Sequence, residues 1–237
     1  MGPSLRAREL VERFNRDVGF ADAVPATADA LALQWPELDG VLPDHGLPQG
    51  VVEVRAAHAL GGGTSIALAS IRAAHERDAR AWCAWVDPDG TLYSPGVAMS
   101  GVDLNRLALV RPPRADLLRI AIKMARSQAF EVIVLDIDPS PGSAVAGSSS
   151  TARRKRPFPL DVFVRKIALL AAEGGATVIL LTDATVHRSI PLPVALRLEL
   201  ARTPNGMGVR VGKERHGRVG LAKTVSWSSR PRIELAV

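Results

Sequence analysis

The sequence predicts an α/β fold: a mainly parallel central sheet flanked by helices, closed by an antiparallel C-terminal extension. Three observations carry that prediction. Short, continuous apolar runs at residues 51–54, 130–136 and 176–182 have the composition of strands buried on both faces. Segments of helical period, 64–77, 114–127 and 160–172, alternate with them. After residue 195 the helices stop, and 195–201, 208–213 and 222–227 read as a strand followed by a hairpin or meander. With 237 residues, 47% of them hydrophobic, the chain is long enough to enclose one large core.

Residues 5–18 (LRARELVERFNRDV) place Leu5, Leu10, Val11, Phe14 and Val18 at helical spacing between charges, an amphipathic helix. Leu10, Val11 and Phe14 are its candidate partner-binding residues. Residues 19–40 are rich in Ala, Asp and Pro and read as an extended connection, so 1–40 is expected to be a helix and arm ahead of a core over 41–237. In WPELDGVLPDHGLPQG, Leu38, Val41 and Leu42 are expected to dock on that core.

The stretch QGVVEVRAAHALGGGTSIALA joins the first strand to a helix through a glycine turn, the layout of a phosphate-binding loop at the carboxyl edge of a sheet. Its chemistry is incomplete. Aligned with G-x-x-x-x-G-K-[ST], the chain puts Ala56 at the first glycine, Gly61 at the second, Gly62 at the lysine and Gly63 at the hydroxyl, with Thr64 following. The first lysine anywhere is Lys123. Three glycines before a helix still present backbone N–H groups to an anion, but weak phosphate affinity is the most they promise. The turn is therefore read first as a tight strand-to-helix connection, and no cofactor is expected.

A helix to about Arg77 and a strand over 81–86 lead to Asp87-Pro88-Asp89-Gly90, where two carboxylates flank a turn signal. Cys83 lies between Trp82 and Trp85 and is expected to pack as a small hydrophobe. A strand near 107–110 and a helix with Leu117, Leu118, Ile120, Ala121 and Met124 inward precede FEVIVLD, which ends on Asp136. A strand-end acid beside a glycine turn can hold a metal or accept hydrogen bonds from the backbone and Thr64; without the lysine, the second is preferred. The histidines show no metal-ligand spacing with each other or with Cys83, and no serine sits in a hydrolase nucleophile elbow. Neither a catalytic residue nor a metal ligand is expected.

Residues 139–159 (PSPGSAVAGSSSTARRKRPFP) are poor in hydrophobes and are expected to form a disordered basic loop. The net charge is +6, and its placement matters more than its size. From residue 188 to the end there are ten Lys/Arg against three Glu, and Arg153, Arg154, Lys155 and Arg156 add four charges. That distribution points to an anionic partner, nucleic acid first, or to a solvated arginine-rich surface. No apolar run approaches a membrane span and the charged N-terminus is unlike a leader, so a soluble, intracellular protein is expected, cytoplasmic and nucleoid-associated where nucleic acid is the partner.

Six pieces in order resemble the RecA recombinase core between Gly40 and about Arg215: GLPQGVVEV, AWVDPDG, GVDLNRLALVRPP, ARSQAFEVIVLD, ALRLELAR and VRVGKERHG. Against that pattern, Asp89 stands where the family has its catalytic glutamate and Asp183 where it has a nucleotide-sensing glutamine. The DNA-binding loop after it shrinks to about residues 185–191. Those losses remove charge neutralisation and water positioning from a hydrolytic cycle. Together with the W-P-E-L-D-x-x-L-P-x-x-G-L-P-x-G lead-in, they resemble the ImuA family, RecA-like accessory proteins of the bacterial mutagenic translesion-synthesis cassette, also carried under the SulA name. The resemblance implies a non-hydrolysing scaffold under SOS control. Its implied partners are the ImuB polymerase-like hub and an error-prone replicative-type DNA polymerase; RecA or a second copy of the chain is a further one. Weak contact with single-stranded DNA is expected at Arg153, Arg154, Lys155, Arg156, Lys213, Arg215 and Arg218. The alternatives are an ATP-binding NTPase with an atypical loop and a SulA-like cell division inhibitor.

Overall fold

The computed structural model describes residues 30–56, 62–137, 160–184 and 192–227. In chain order these form α1 (Pro36–Asp39), β1 (Gly50–Ala56), α2 (Gly63–Arg77), β2 (Cys83–Val86), α3 (Ser94–Met99), β3 (Leu107–Val110), α4 (Leu117–Ser127), β4 (Val132–Asp136), α5 (Leu160–Gly174), β5 (Thr177–Asp183), β6 (Leu196–Thr203), β7 (Gly206–Glu214) and β8 (Ala222–Ser226). One eight-stranded sheet has the order β3-β2-β4-β5-β1-β6-β7-β8. The pairs from β3 to β6 are parallel, while β6–β7 and β7–β8 are antiparallel. The predicted fold class is therefore the one observed.

Strand composition explains the centre of this order. Val132, Ile133, Val134 and Leu135 of β4 are all fully buried, and so are Val178, Ile179 and Leu180 of β5, because helices cover both faces. On one face, Val52, Val54, Val134 and Ile179 pack beneath α2; on the other, Val51, Ile133, Val178 and Leu180 pack beneath α4 and α5. Burying ten such side chains contributes on the order of 20 kcal/mol before chain entropy is subtracted. Cys83 of β2 is wholly buried in the same core, and burial pushes its thiol pKa up to about 12.

The segment ahead of β1 buries more than Leu38, Val41 and Leu42. Leu31, Leu33 and Trp35 are also at most 2% exposed. Leu31 and Leu47 exchange two backbone hydrogen bonds, and Asp39 caps the segment by accepting from the N–H groups of Leu33 and Trp35. This lid lies over α2, whose Arg72 donates to the Leu33 carbonyl at 3.0 Å. The expected helix at 5–18, the loop at 139–159 and the segment 185–191 lie outside the described residues.

Candidate functional site

The glycine turn ends at Gly62, which caps α2 in the left-handed region (φ 81°) and accepts from the N–H groups of Ser65 and Ile66. Glycine is needed here twice over. An L side chain strains that backbone, and a Cβ would lie 2.7 Å from Met207 Sδ and 3.0 Å from the Trp227 ring. Gly63 has only ordinary contacts, with Leu181, Val54 and Ala56. The position aligned with the lysine is thus closed by side chains from β7 and the residue after β8. Ala56 is half-buried at the end of β1, and Gly61 lies outside the described residues.

Thr64 is exposed on the first turn of α2 and Asp136 half-buried at the end of β4. The two line one cavity of about 230 Å³ with Trp85, Thr91, Tyr93 and Val97. Trp85 is 2% exposed and its indole N–H meets no acceptor among the described residues, an arrangement that costs about 1–3 kcal/mol. Tyr93, 70% exposed, stands at the rim. Sequence reasoning brought Thr64 and Asp136 together but missed Trp85, Thr91 and Tyr93, which have no recognisable spacing and converge only because β2 lies beside β4.

The two acids after β2 serve the turn, as the intervening proline and glycine indicate. Asp87 is fully buried and accepts from Thr91 N (3.0 Å), Thr91 Oγ1 (3.3 Å) and Leu92 N (3.1 Å), with Arg111 at 3.5 Å. Asp89 is clamped by Arg114, which donates through Nε at 2.8 Å and through Nη2. A carboxylate held this way is poorly placed to orient a water.

The C-terminal basic cluster divides. Arg218 donates to both oxygens of Asp44 (2.8 and 2.9 Å), to Glu214 Oε1 (3.1 Å) and to the Pro43 carbonyl (3.2 Å). Arg218, expected to contact phosphate, is engaged by two carboxylates, one of them 174 positions away in the chain. The Arg218 hydrogen bond holds the Asp44 carboxyl below its usual range. Burial pushes Glu214 up, but hydrogen bonds from Arg218 and from the N–H groups of Arg218 and His216 outweigh it and leave that carboxyl low as well. Lys213 donates to the Leu192 carbonyl at 2.7 Å. Arg215 is exposed, and its guanidinium donates to the neighbouring His216 ring. Leu10, Val11, Phe14, Arg153, Arg154, Lys155 and Arg156 lie outside the described residues.

Two buried polar groups had no place in the sequence reading. Glu53, in the middle of β1, accepts from Arg197 of β6 at 2.6 Å and from Thr182 of β5 at 3.1 Å, so an ion pair ties three adjacent strands on the α5 side of the sheet. A charge inside each of the runs VVEV and LRLEL is the signal that could have paired them. His75, on α2, is 5% exposed with both ring nitrogens unsatisfied, and desolvation, followed by the charge of Arg106, pushes its pKa down. Among the described residues no three His, Cys, Asp or Glu side chains are grouped to hold a metal, and no helix is long and apolar enough to cross a membrane.

A parallel sheet extended by antiparallel strands, with a glycine turn facing a strand-end acid, defines a RecA-like core. The crystal structure of the RadB recombinase is similar over 82% of this chain and 94% of that chain, with a TM-score of 0.59 at 16% identity. Residues 40–156, just under half of the chain, match the family model described as the MT3502 N-terminal domain. No curated protein sequence matches.

Proposed function

We propose that this protein is a non-hydrolysing RecA-like accessory factor that works in the cytoplasm as a scaffold in SOS-induced mutagenic translesion DNA synthesis, in the manner of the ImuA family it resembles. The observation that carries the first half is the closed glycine turn. At Gly62, where a hydrolase of this fold presents a lysine to the terminal phosphates, Met207 and Trp227 fill the space beside the backbone. Asp89, at the water-activating position, is committed to Arg114. A fold that keeps its sheet and strand-end acid while losing both charged parts of the reaction is suited to assembly. The partners in this reading are the ImuB polymerase-like hub and an error-prone replicative-type polymerase, with weak contact to single-stranded DNA.

The test has two arms. Purified protein should show no steady ATP turnover and no rise in Tm with millimolar Mg-ATP, whereas a ligand at a hundred times its Kd would add about 2.7 kcal/mol of stability. Turnover that disappears in Asp136→Ala would establish the NTPase alternative. In extracts of DNA-damaged cells, the tagged protein should retain the polymerase-like hub; retention of a tubulin-like division protein in its place would establish the division-inhibitor alternative.

A further inference from the structure

We infer that the outward face of α4 and α5, carrying Lys123, Arg126, Arg165 and Lys166, is the contact surface for the phosphate backbone of single-stranded DNA. The inference rests on the DNA-contact part of the proposal above and assigns it to residues the sequence reading did not select. All four side chains are exposed, and none makes an ion pair or hydrogen bond among the described residues. The side chains of Arg80, Arg202 and Lys223 are likewise exposed and unpaired among the described residues, but they sit on a turn and on separate strands rather than together. Arg77, Arg106, Arg114, Arg119, Arg210 and Arg218 each have a carboxylate partner. Cations kept apart from carboxylates retain their charge for a partner.

The four lie together because of how the helices sit. Both α4 and α5 return antiparallel to parallel strands on the same face of the sheet, so they run side by side in one direction. Their ends meet, since a Cβ on Gly174 would lie 3.1 Å from Gln128 Cγ. Counting back from that shared end at about 1.5 Å per residue puts Lys123 level with Leu169, and Arg126 about a turn lower. Arg165 and Lys166 lie about a turn higher on the neighbouring axis, about 8–10 Å away. Acids are few here: Asp116 is paired to Arg119, and Asp161 and Glu173 sit at the two ends of α5.

The chemistry of this strip selects a phosphate backbone. Phe163, the one aromatic residue on the two helices, is fully buried, so no base can stack. The large exposed apolar side chains of the two helices are Val162 and Leu169 on α5, too little for the centre of a protein interface. What remains is positive charge at helical spacing, which neutralises phosphates without reading sequence.

The experiment measures binding of the full chain to two unrelated single-stranded oligonucleotides across salt concentrations. For the four-residue change Lys123→Gln, Arg126→Gln, Arg165→Gln and Lys166→Gln, the slope of log affinity against log salt should flatten by about 2.8, since each single-strand phosphate contact contributes about 0.7. Each helix's pair alone should flatten it by about 1.4, and these milder variants guard against a folding defect. If the wild type binds and the slope is unchanged, the inference is overturned; loss of slope on replacing residues 153–156 would then assign the contact to the loop, and binding of an acidic protein to this face would replace DNA as its occupant. If the wild type does not bind either oligonucleotide, the DNA part of the proposed function fails with it.

Discussion

The two helical layers that cover the sheet solve the same problem in opposite ways. On one side α2 is enclosed all round: Ile66, Leu68 and Ile71 are buried, and so are Ser70, Arg72 and His75 on its remaining faces, because residues 31–47 roof it. On the other side α4 buries only Leu117, Ala121, Met124 and Ala125, and α5 only Phe163, Val164, Ile167 and Ala171, leaving charged stripes to solvent. Ala67, Ala69, Ala73 and Ala74 make α2 thin enough for the roof to approach. A helix of modest amphipathicity is thus not a poor helix; it is one with cover on both sides.

The largest test of this contrast is the roof itself. Trp35 is 1% exposed and packs against Trp227 with ring centroids 6.5 Å apart. Trp35→Ala should cost about 3–5 kcal/mol in urea unfolding, whereas Leu169→Ala on the open side should stay within about 0.5 kcal/mol. Equal effects would mean the roof contributes no more than surface.

Next is the ion-pair network that ties the roof to the C-terminal strands. Arg218→Ala leaves Asp44 and Glu214 buried without their ion-pair partner, although Glu214 keeps the backbone N–H groups of residues 216 and 218, and should cost about 3 kcal/mol at neutral pH. The sign with pH follows from the depressed carboxyls. Their contribution is complete above the unfolded value of about 4 and is lost as pH falls through the lower folded values. Wild-type Tm should therefore drop on acidification below about pH 4 more steeply than that of Arg218→Ala; parallel curves would refute the network's role.

The smallest effect is His75. Its folded pKa is depressed, so the fold favours the neutral ring. Stability is undiminished above the unfolded value of about 6.5 and declines as pH falls from there towards the folded value. His75→Leu should remove that slope below about pH 6.5, which unfolding curves at several pH values would reveal.

How far the site could be read follows from particular residues. Gly62, Gly63, Thr64 and Asp136 were legible because a strand-turn-helix motif and a strand-end acid are local patterns, and β1 and β4 bring them to one edge. Trp85 and Tyr93 were not, since their place in the cavity depends on strand order. Arg218 shows the converse. Its cluster reads as a basic patch along the chain, while Asp44, from the far end of the sequence, neutralises it.

The sequence by itself determined the α/β class, the apolar strands, the missing lysine and the antiparallel close, because hydrophobic period and residue identity act within a few positions. Tertiary structure alone decided which cations keep their charge, that Met207 and Trp227 close the turn at Gly62, and that α2 is roofed while α4 and α5 stay open. Those outcomes turn on distances between side chains far apart in sequence. Coulomb energy and steric exclusion depend on those distances, and only the folded chain sets them.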